Sequence, residues 1–594
     1  MIAVIQQLWR LFTPEQKKKI KQLQMFILII SLFEVVTIGS VVGFMHTLSN
    51  LENVGESLFL GDLYKTLGRS QVLLITICAV SLVSLLTFNA IFSIISTKKI
   101  NSVALDMGRQ ISVQLFSYYQ NKDWLYHTQV NSSWIINRVL TESGRLTMSI
   151  LLPCLMMAAR GILIILIITT LVIYDPVVAL SGAALFIFGY AIIFQFARPR
   201  LARNSIILSK YSQNRIKTLN EAFEGIKNVL LFDKQDYFSE KFDVSVRKIA
   251  QAQASNNTLS AAPKYMMEWM AYVSMSILVL FFIVIQEKDV AQVIPMLTLY
   301  GLCAFKLLPA LQQSYSYLSQ IRGNLTILKD IHNDVLSSSV EKKLNVSSDK
   351  VLFNRYIYLK NICFSYPNKI EKALDNFSVK IYKNQCVGFV GPSGAGKSTI
   401  IDILSGLIPI GSGKFFIDGI DIGRNLSSWK SNISYVPQSI VLTDSTIAEN
   451  IAFGVPYQNI DMKKIEQVIK LAHLEELMEQ LDDGIDTRVG ERGVQLSGGQ
   501  RQRIGIARAL YTEANVLIFD EATSALDGIT ERLIMDAINE LTGHKTIILI
   551  AHRLKTIQSC DQIFFIRDGS VVDQGKYHDL VERNVDFRKM ANHS

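Results

Sequence analysis

The amino-acid sequence predicts two joined parts, a six-helix α-helical transmembrane domain followed by an α/β domain. Hydrophobic residues make up 49% of the 594 positions, and the apolar runs long enough to cross a bilayer lie before about residue 312. After residue 350 the pattern changes to short β-rich runs that alternate with amphipathic helical runs. The polar stretch between these parts predicts a linker. The predicted domains are therefore residues 1–330 and 351–594, joined by 331–350.

Six apolar runs in the first domain have the length of a membrane-spanning helix. The basic clusters beside these runs all fall on one side of the membrane if the N-terminus is cytoplasmic, which is the usual distribution of Lys and Arg. The C-terminus and the two long polar excursions, residues 100–147 and 204–264, are then cytoplasmic as well. The predicted spans are about 25–48, 71–95, 148–174, 177–197, 266–286 and 290–312.

The segment between the first two spans predicts an amphipathic helix on the external surface. Apolar residues recur at helical spacing over residues 51–67, although Gly55 and Gly61 weaken the pattern. Such a helix would lie in the membrane interface rather than cross the bilayer.

The net charge of +9 is better explained by membrane topology than by a nucleic-acid partner. The basic residues cluster next to apolar runs, where Lys and Arg mark the cytoplasmic side. We therefore expect no nucleic acid. The cysteines fall singly, without metal-ligand spacing, as buried thiols of a reducing compartment do. The six are Cys78, Cys154, Cys303, Cys363, Cys386 and Cys560.

A glycine-rich loop early in the second domain has the pattern of a phosphate-binding site. It fits G-x-x-x-x-G-K-[ST], follows the apolar run 387–390 and precedes an apolar helical run from Ile400. Glycines let backbone N–H groups curl around phosphate oxygens, and the helix N-terminus adds positive charge. Lys397 is placed to bridge the β- and γ-phosphates, and Ser398 to ligate Mg²⁺. The predicted nucleotide cradle comprises Gly391, Pro392, Ser393, Gly394, Ala395, Gly396, Lys397, Ser398 and Thr399.

Two adjacent carboxylates follow a second apolar strand, residues 516–519. Asp520 ends this strand and is placed to hold Mg²⁺ or its water, as the strand-end acid of P-loop NTPases does. Glu521 is one residue further on and is positioned to polarise an attacking water as a general base. Together with the loop, these acids predict hydrolysis of a nucleoside triphosphate.

A second Gly-rich turn lies between the loop and the acids. Ser497, Gly498 and Gly499 open the apolar helical run that continues to Leu510, and a helix N-terminus with free backbone N–H groups binds anions. Two such cradles in one small domain cannot both wrap one γ-phosphate from the same side. This arrangement predicts a head-to-tail dimer.

These motifs together resemble the ATP-binding cassette (ABC) exporters, and the resemblance covers essentially the whole chain. It implies that residues of the Leu496–Gln500 stretch, namely Ser497, Gly499 and Gln500, contact ATP held by the opposite subunit. It also implies that Tyr366 stacks on adenine, and that Gln438 acts near Mg²⁺ and the membrane domain. His552 would be the switch histidine on the γ-phosphate. The implied catalytic residues are therefore Glu521, His552 and Gln438, and the implied Mg²⁺ ligands are Ser398, Gln438 and Asp520.

The same resemblance implies assembly and topology. One chain supplies one membrane half and one nucleotide domain, so a homodimer of twelve spans with ATP and Mg²⁺ at two sites is expected in a bacterial-type inner membrane. Ser524–Asp527 would form the D-loop, and Thr487–Gly493 resembles the loop by which exporters sense their coupling helices. The region of Trp124 and the stretch 211–216 resemble the two coupling helices, although ordinary helix turns remain an alternative for the second.

Three basic residues lie in the inner third of the predicted bilayer or at its boundary: Arg160, Lys264 and Lys306. Arg160 and Lys306 are each roughly 20 Å from the outer face of a ~30 Å core. They would suit an anionic phosphate headgroup that enters from the cytoplasm. The alternative is that these long side chains extend to the interface, or that Lys264 pairs with Glu268 and Arg160 with Glu34.

With the external helix, this layout resembles bacterial lipid-linked oligosaccharide flippases within the ABC exporters. The expected function is ATP-driven movement of such a lipid from the inner to the outer leaflet. An exporter of peptides or hydrophobic drugs is the first alternative. An ATP-gated channel or regulator is the alternative from another class, and it predicts ion current without stoichiometric ATP turnover.

Overall fold

The chain forms two units in a computed structural model. The first unit contains Met1–Lys122 and His127–Asn345, and the second contains Asp123–Tyr126 and Val346–Ser594. The residues described by the structure are 2–49, 70–280, 290–341, 351–367, 369–423, 426, 428–490, 493–522, 528–551 and 553–592.

The first unit is built from helices in the parts that the structure describes. Two π-helical stretches, Asn137–Glu142 and Thr147–Leu151, lie inside the long helix Ser132–Tyr174. The helices are α1 (Ile2–Leu11), α2 (Pro14–Ser49), α3 (Gln71–Gln120), α4 (Trp124–Gln129), α5 (Ser132–Tyr174), α6 (Pro176–Glu224), α7 (Ile226–Leu231), α8 (Gln235–Leu280), α9 (Val290–Arg322) and α10 (Leu325–Glu341).

Four of the described helices, α2, α3, α5 and α6, are long and apolar enough to cross a membrane. They carry the first four predicted spans. The last two predicted spans fall on α8, α9 and residues 281–289, and the latter lie outside the described residues. The predicted external helix at 51–67 also lies outside them. The six-span assignment therefore stays a prediction.

Three helices of the first unit, α2, α5 and α9, share an apolar cluster. Its buried members are Ile38, Leu163, Ile167, Leu299, Cys303 and Ala310. Elsewhere α3 approaches α5 closely at a glycine, because a Cβ on Gly108 would lie 2.2 Å from Thr147 Oγ1. Small residues allow such close helix contacts in membrane proteins.

Two expectations differ from the structure. Residues 211–216 lie inside α6, and the helix ends instead near Gly225, which precedes the short helix α7. A glycine lacks a Cβ and breaks helices more readily than the residues at 211–216. The predicted linker 331–350 is helical up to Glu341, because Ile331 and Val335 continue the buried face of α10.

The described residues of the second unit form ten strands. They are β1 (Tyr356–Phe364), β2 (Leu374–Tyr382), β3 (Cys386–Val390), β4 (Ser412–Ile417), β5 (Ile420–Asp421), β6 (Ile433–Val436), β7 (Val516–Asp520), β8 (Thr546–Ile550), β9 (Gln562–Arg567) and β10 (Ser570–Gly575). These strands form two sheets. One has four antiparallel strands in the order β2-β1-β4-β5, and the other has six strands in the order β10-β9-β3-β8-β7-β6.

Every pair in the six-stranded sheet is parallel except β9 with β10. All residues of β3 and β8 are buried, which explains why these strands are continuous apolar runs in the sequence. The helices of this unit are α11 (Lys397–Leu404), α12 (Ile447–Ile451), α13 (Met462–Leu471), α14 (Glu475–Gln480), α15 (Gly498–Tyr511), α16 (Gly528–Leu541), α17 (Tyr577–Arg583) and α18 (Val585–Asn592).

Candidate functional site

The predicted phosphate loop connects the buried strand β3 to helix α11. Two of its glycines touch other backbone segments. A Cβ on Gly391 would lie 2.1 Å from the carbonyl oxygen of Ile566, and a Cβ on Gly396 would lie 2.6 Å from that of Ala373. Gly396 also has a φ of 99°, which favours glycine. The fold therefore requires glycine at both positions.

Lys397 is held against the loop that precedes it. Its Nζ donates hydrogen bonds to the carbonyl oxygens of Gly391 at 2.8 Å and Pro392 at 3.0 Å. The side chain is buried, and this burial lowers the pKa of Lys397, while Glu521 and Asp520 act in the opposite direction. The loop thus holds a buried cation close to two carboxylates, as a site for phosphate and a metal ion requires.

The two predicted carboxylates each have a hydrogen-bond donor from β6 or from the residues that follow it. Tyr435 donates its hydroxyl to Asp520 Oδ2 at 2.8 Å, and Gln438 donates its amide to Glu521 Oε2 at 2.7 Å. Glu521 has a φ of 49°, a left-handed conformation that is uncommon for residues other than glycine and is found at functional sites. Its backbone N–H bonds the Ile550 carbonyl at 3.1 Å.

The side chains around the loop fit a magnesium–nucleotide complex. Within the part of the chain that the structure describes, the exposed Ser398 hydroxyl has no hydrogen-bond partner. Hydroxyl and carboxylate oxygens are the ligands that Mg²⁺ prefers, and Asp520 supplies the carboxylate. Tyr366 donates to or accepts from Thr399 Oγ1 at 3.1 Å, so its ring lies beside the start of α11.

The second Gly-rich turn forms a capping box at the start of α15. Ser497 Oγ accepts from the Gln500 backbone N–H at 3.2 Å, and Gln500 Oε1 accepts from the Ser497 N–H at 2.7 Å. Ser497 and Gly498 are exposed. The same helix contacts the residue before Gln438, because Gln502 donates to the Pro437 carbonyl at 3.4 Å. The turn is thus a preformed helix N-terminus that faces outward.

Three sequence predictions cannot be placed in this geometry. His552, the stretch Ser524–Asp527 and residues 491–492 within Thr487–Gly493 lie outside the described residues. Their roles therefore stay predictions.

Comparison with known proteins identifies the family. Residues 374–524 match the family described as ABC transporter, and residues 19–307 match the ABC transporter transmembrane region. The chain is 31% identical over 526 residues to the ATP-dependent lipid A-core flippase of Vibrio vulnificus (strain CMCP6), covering 85% of this chain and 86% of that protein. The chain belongs to the ABC exporter family. It is an ATP hydrolase coupled to transport, and the predicted family and fold class are confirmed.

Other relatives of this ABC exporter agree. It is 41% identical over 227 residues to the Escherichia coli (strain K12) ATP-dependent lipid A-core flippase, covering 38% of this chain and 39% of that protein. It is 28% identical over 502 residues to the heterocyst differentiation ATP-binding protein HepA of Nostoc, covering 81% of this chain and 78% of that protein. The structure of a bacterial Atm1-family ABC exporter with ATP bound matches its fold, with a TM-score of 0.78, 21% identity and coverage of 97% and 99%.

The three basic candidates for cargo binding have different surroundings. Lys306 Nζ pairs with Glu34 Oε1 at 3.0 Å, so Glu34 is the partner of Lys306 and not of Arg160. Lys264 pairs loosely with Glu268 at 3.9 Å on an exposed face. Among the described residues, Arg160 has no hydrogen bond or ion pair, and it is half-buried. The structure leaves Arg160 as the basic residue of this set without a counter-ion.

The contact between Asp402 and Trp124 was not predicted from the sequence. The segment Asp123–Tyr126 belongs to the nucleotide-domain unit, where Trp124 hydrogen-bonds Asp402 and Leu125 packs on the core. Burial, and then the charge of Asp520, raise the pKa of Asp402 to about 6. An acidic residue on the helix that follows the glycine-rich loop was the signal available in the sequence.

Replacing Asp402 with asparagine is expected to stabilise the nucleotide domain at neutral pH. The folded protein binds a proton at Asp402 more readily than the unfolded chain, so stability is lost as pH rises from the ordinary pKa of 3.8 to about 6. Asparagine does not ionise and keeps an acceptor for Trp124. In thermal unfolding, the variant should match the wild type near pH 4 and unfold a few degrees higher above about pH 7.

The matched control is Asp375→Asn. Lys372 lowers the pKa of this exposed carboxylate, so its replacement should give no gain at high pH. If the thermal unfolding midpoint of Asp402→Asn at high pH equals that of the wild type or lies below it, the raised pKa of Asp402 is contradicted.

Proposed function

We propose that this ABC exporter is an ATP-driven flippase that moves an anionic lipid, specifically a lipid-linked oligosaccharide, from the inner to the outer leaflet of a bacterial inner membrane. The relatives named lipid A-core flippases support a lipid cargo. The observation that carries the proposal is Arg160, a half-buried cation without a counter-ion among the described residues of the membrane helices. A charge at this depth faces protein or water and marks a functional site by default.

The three basic candidates differ in the charge that each can offer to a headgroup. Arg160 can make bidentate, charge-assisted hydrogen bonds to a phosphate group, and no protein carboxylate competes for it in the described structure. Lys306 is shared with Glu34, so it contributes less positive charge. Lys264 is exposed at 55% and sits one helical turn from Glu268, which makes it the weakest candidate.

The nucleotide site supports a hydrolytic cycle with these roles. Lys397 and the loop Gly391–Thr399 would hold the phosphates. Ser398 and Asp520 would hold Mg²⁺, which would stabilise the charge that develops on the phosphates. Glu521 polarises the attacking water, and the Gln438 amide, 2.7 Å away, fixes the orientation of its carboxylate. Tyr366 stacks on adenine, and His552 contacts the γ-phosphate.

The working unit in this proposal is a homodimer. The turn at Ser497 is exposed and presents a helix N-terminus, so it is available to bind ATP held by a second subunit together with Gly499 and Gln500. Each of two nucleotide sites then combines one P-loop and one partner turn. The N- and C-termini are cytoplasmic in this arrangement, as the basic clusters of the sequence indicate.

Mixed dimers test the exchange of residues between subunits. Lys397→Ala subunits combined with Ser497→Arg subunits would place both defects in one site and leave the other intact. Doubly tagged, purified mixed dimers should hydrolyse ATP roughly 100-fold faster than either parent homodimer, provided that one intact site suffices. Turnover in the mixed dimer as low as in the parents would argue that each site is built within one subunit.

The cargo site is tested with Arg160→Gln. A buried charge-assisted contact contributes roughly 1.5–3 kcal/mol, so its loss should raise the lipid concentration for half-maximal ATPase stimulation about 10- to 100-fold. The measurement uses a polyprenyl pyrophosphate lipid in proteoliposomes, and Lys264→Gln is the control with little expected change. Wild-type sensitivity to the lipid in Arg160→Gln would remove Arg160 from the site. Unaltered lipid sensitivity together with drug-stimulated ATPase would favour a drug exporter.

A further inference from the structure

The ion pair between Glu34 and Lys306 joins helices α2 and α9 inside the predicted membrane region. Lys306 Nζ lies 3.0 Å from Glu34 Oε1, and the carboxylate is 12% exposed while the lysine side chain is 38% exposed. Val35 and Leu307, the residues next to them in sequence, pack against the apolar cluster shared by α2, α5 and α9. The pair therefore lies next to an apolar core, where its charges are poorly screened by water.

The lysine of this pair retains capacity to bind an anion. An ammonium group has three N–H donors, and the described structure shows one hydrogen bond from Lys306, to Glu34. Lys306 is also the more exposed partner. An anion can therefore approach the free N–H donors of the Lys306 ammonium group, but the negative charge of Glu34 close by repels it.

The predicted spans around this pair contain few charged residues. The predicted spans 25–48, 148–174 and 290–312 contain Glu34, Arg160 and Lys306 as their only residues of the types Asp, Glu, Lys and Arg. Two cations and one carboxylate leave a net charge of +1. Without Glu34 the same three spans would carry a net charge of +2. The carboxylate thus halves the positive charge that a headgroup meets.

We propose that Glu34 is a specificity-determining residue that sets the minimum charge of the headgroup this exporter accepts. The proposal rests on the function proposed above. A phosphodiester lipid with one negative charge that replaces Glu34 at Lys306 exchanges one unit charge for another, so it gains no Coulomb energy and still loses hydration. A pyrophosphate or phosphate monoester carries close to two or more negative charges and gains from the exchange. At Lys306, abundant phosphodiester lipids therefore gain nothing over Glu34, whereas a pyrophosphate-linked lipid gains from the exchange.

A purely structural ion pair makes a different prediction. If the pair only holds α2 against α9, its removal lowers stability and affects all lipids equally. If it sets the charge threshold, its removal changes which lipids the exporter responds to. Lipid selectivity, rather than activity, is therefore the quantity to measure.

The experiment uses the full chain in phosphatidylcholine proteoliposomes and measures ATPase stimulation by added lipid. One series contains a polyprenyl pyrophosphate lipid, and the other contains phosphatidylglycerol, which carries one negative charge. The wild type should respond to the first series and not to the second. Glu34→Gln should respond to both, with half-maximal stimulation by phosphatidylglycerol at a concentration at least tenfold below the highest one at which the wild type shows no response. Glu268→Gln, which alters the exposed pair at Lys264, should keep wild-type selectivity.

A neutral double variant covers the case in which Glu34→Gln does not fold. Glu34→Gln with Lys306→Gln replaces the pair by two amides that can hydrogen-bond, so no uncompensated charge remains at this position. It should ignore phosphatidylglycerol and need roughly tenfold more pyrophosphate lipid than the wild type. A response of this variant to phosphatidylglycerol, or wild-type sensitivity to the pyrophosphate lipid, would overturn the proposal.

The outcomes separate this inference from the proposed function. A wild type that pyrophosphate lipid does not stimulate overturns the flippase proposal and the role of Glu34 with it. A wild type that is stimulated and selective, with a folded Glu34→Gln variant that stays equally selective, overturns the role of Glu34 alone.

Discussion

The backbone of Gly391 lies so close to the backbone of Ile566 that no side chain fits between them, and this contact fixes the phosphate loop at the end of the central sheet. Strand β3, which leads into the loop, is buried and paired with β8 and β9 on its two sides. The loop therefore cannot shift without moving the sheet. This constraint also fixes the positions of the residues that follow in the loop, Lys397, Ser398 and Thr399. Phosphoryl transfer requires such preorganisation.

The two carboxylates are tied to one neighbouring segment rather than to each other. Tyr435 binds Asp520, and Gln438, three residues later, binds Glu521. A displacement of this short segment would move the donors of both acids together. The same segment contacts helix α15 through Pro437 and Gln502, so the exposed turn at Ser497 is linked to the acids by direct contacts. The position of the turn and the orientation of the Glu521 carboxylate are thus physically connected.

The sequence was sufficient where a local pattern determines the geometry. The glycine loop, the strand that ends at Asp520 and the helix that starts at Ser497 were all predicted, because their spacing fixes strand, turn and helix. The pairings between distant residues were not. Tyr435 and Asp520 are 85 residues apart, and Lys306 and Glu34 are 272 apart, so no periodicity relates them. The alternative that paired Arg160 with Glu34 was wrong, because Lys306 pairs with that carboxylate.

The central claim is that ATP hydrolysis, and not ATP binding alone, drives lipid movement. The most direct measurement compares wild type and Glu521→Gln in proteoliposomes, following flipping of a fluorescent pyrophosphate-linked lipid and ion conductance after ATP is added. The wild type is expected to flip the lipid. Glu521→Gln is expected to bind ATP, to flip the lipid at least 100-fold more slowly and to show no ion conductance. Sustained flipping by Glu521→Gln, or an ATP-dependent ion current in either protein, would contradict it and indicate a channel gated by ATP binding.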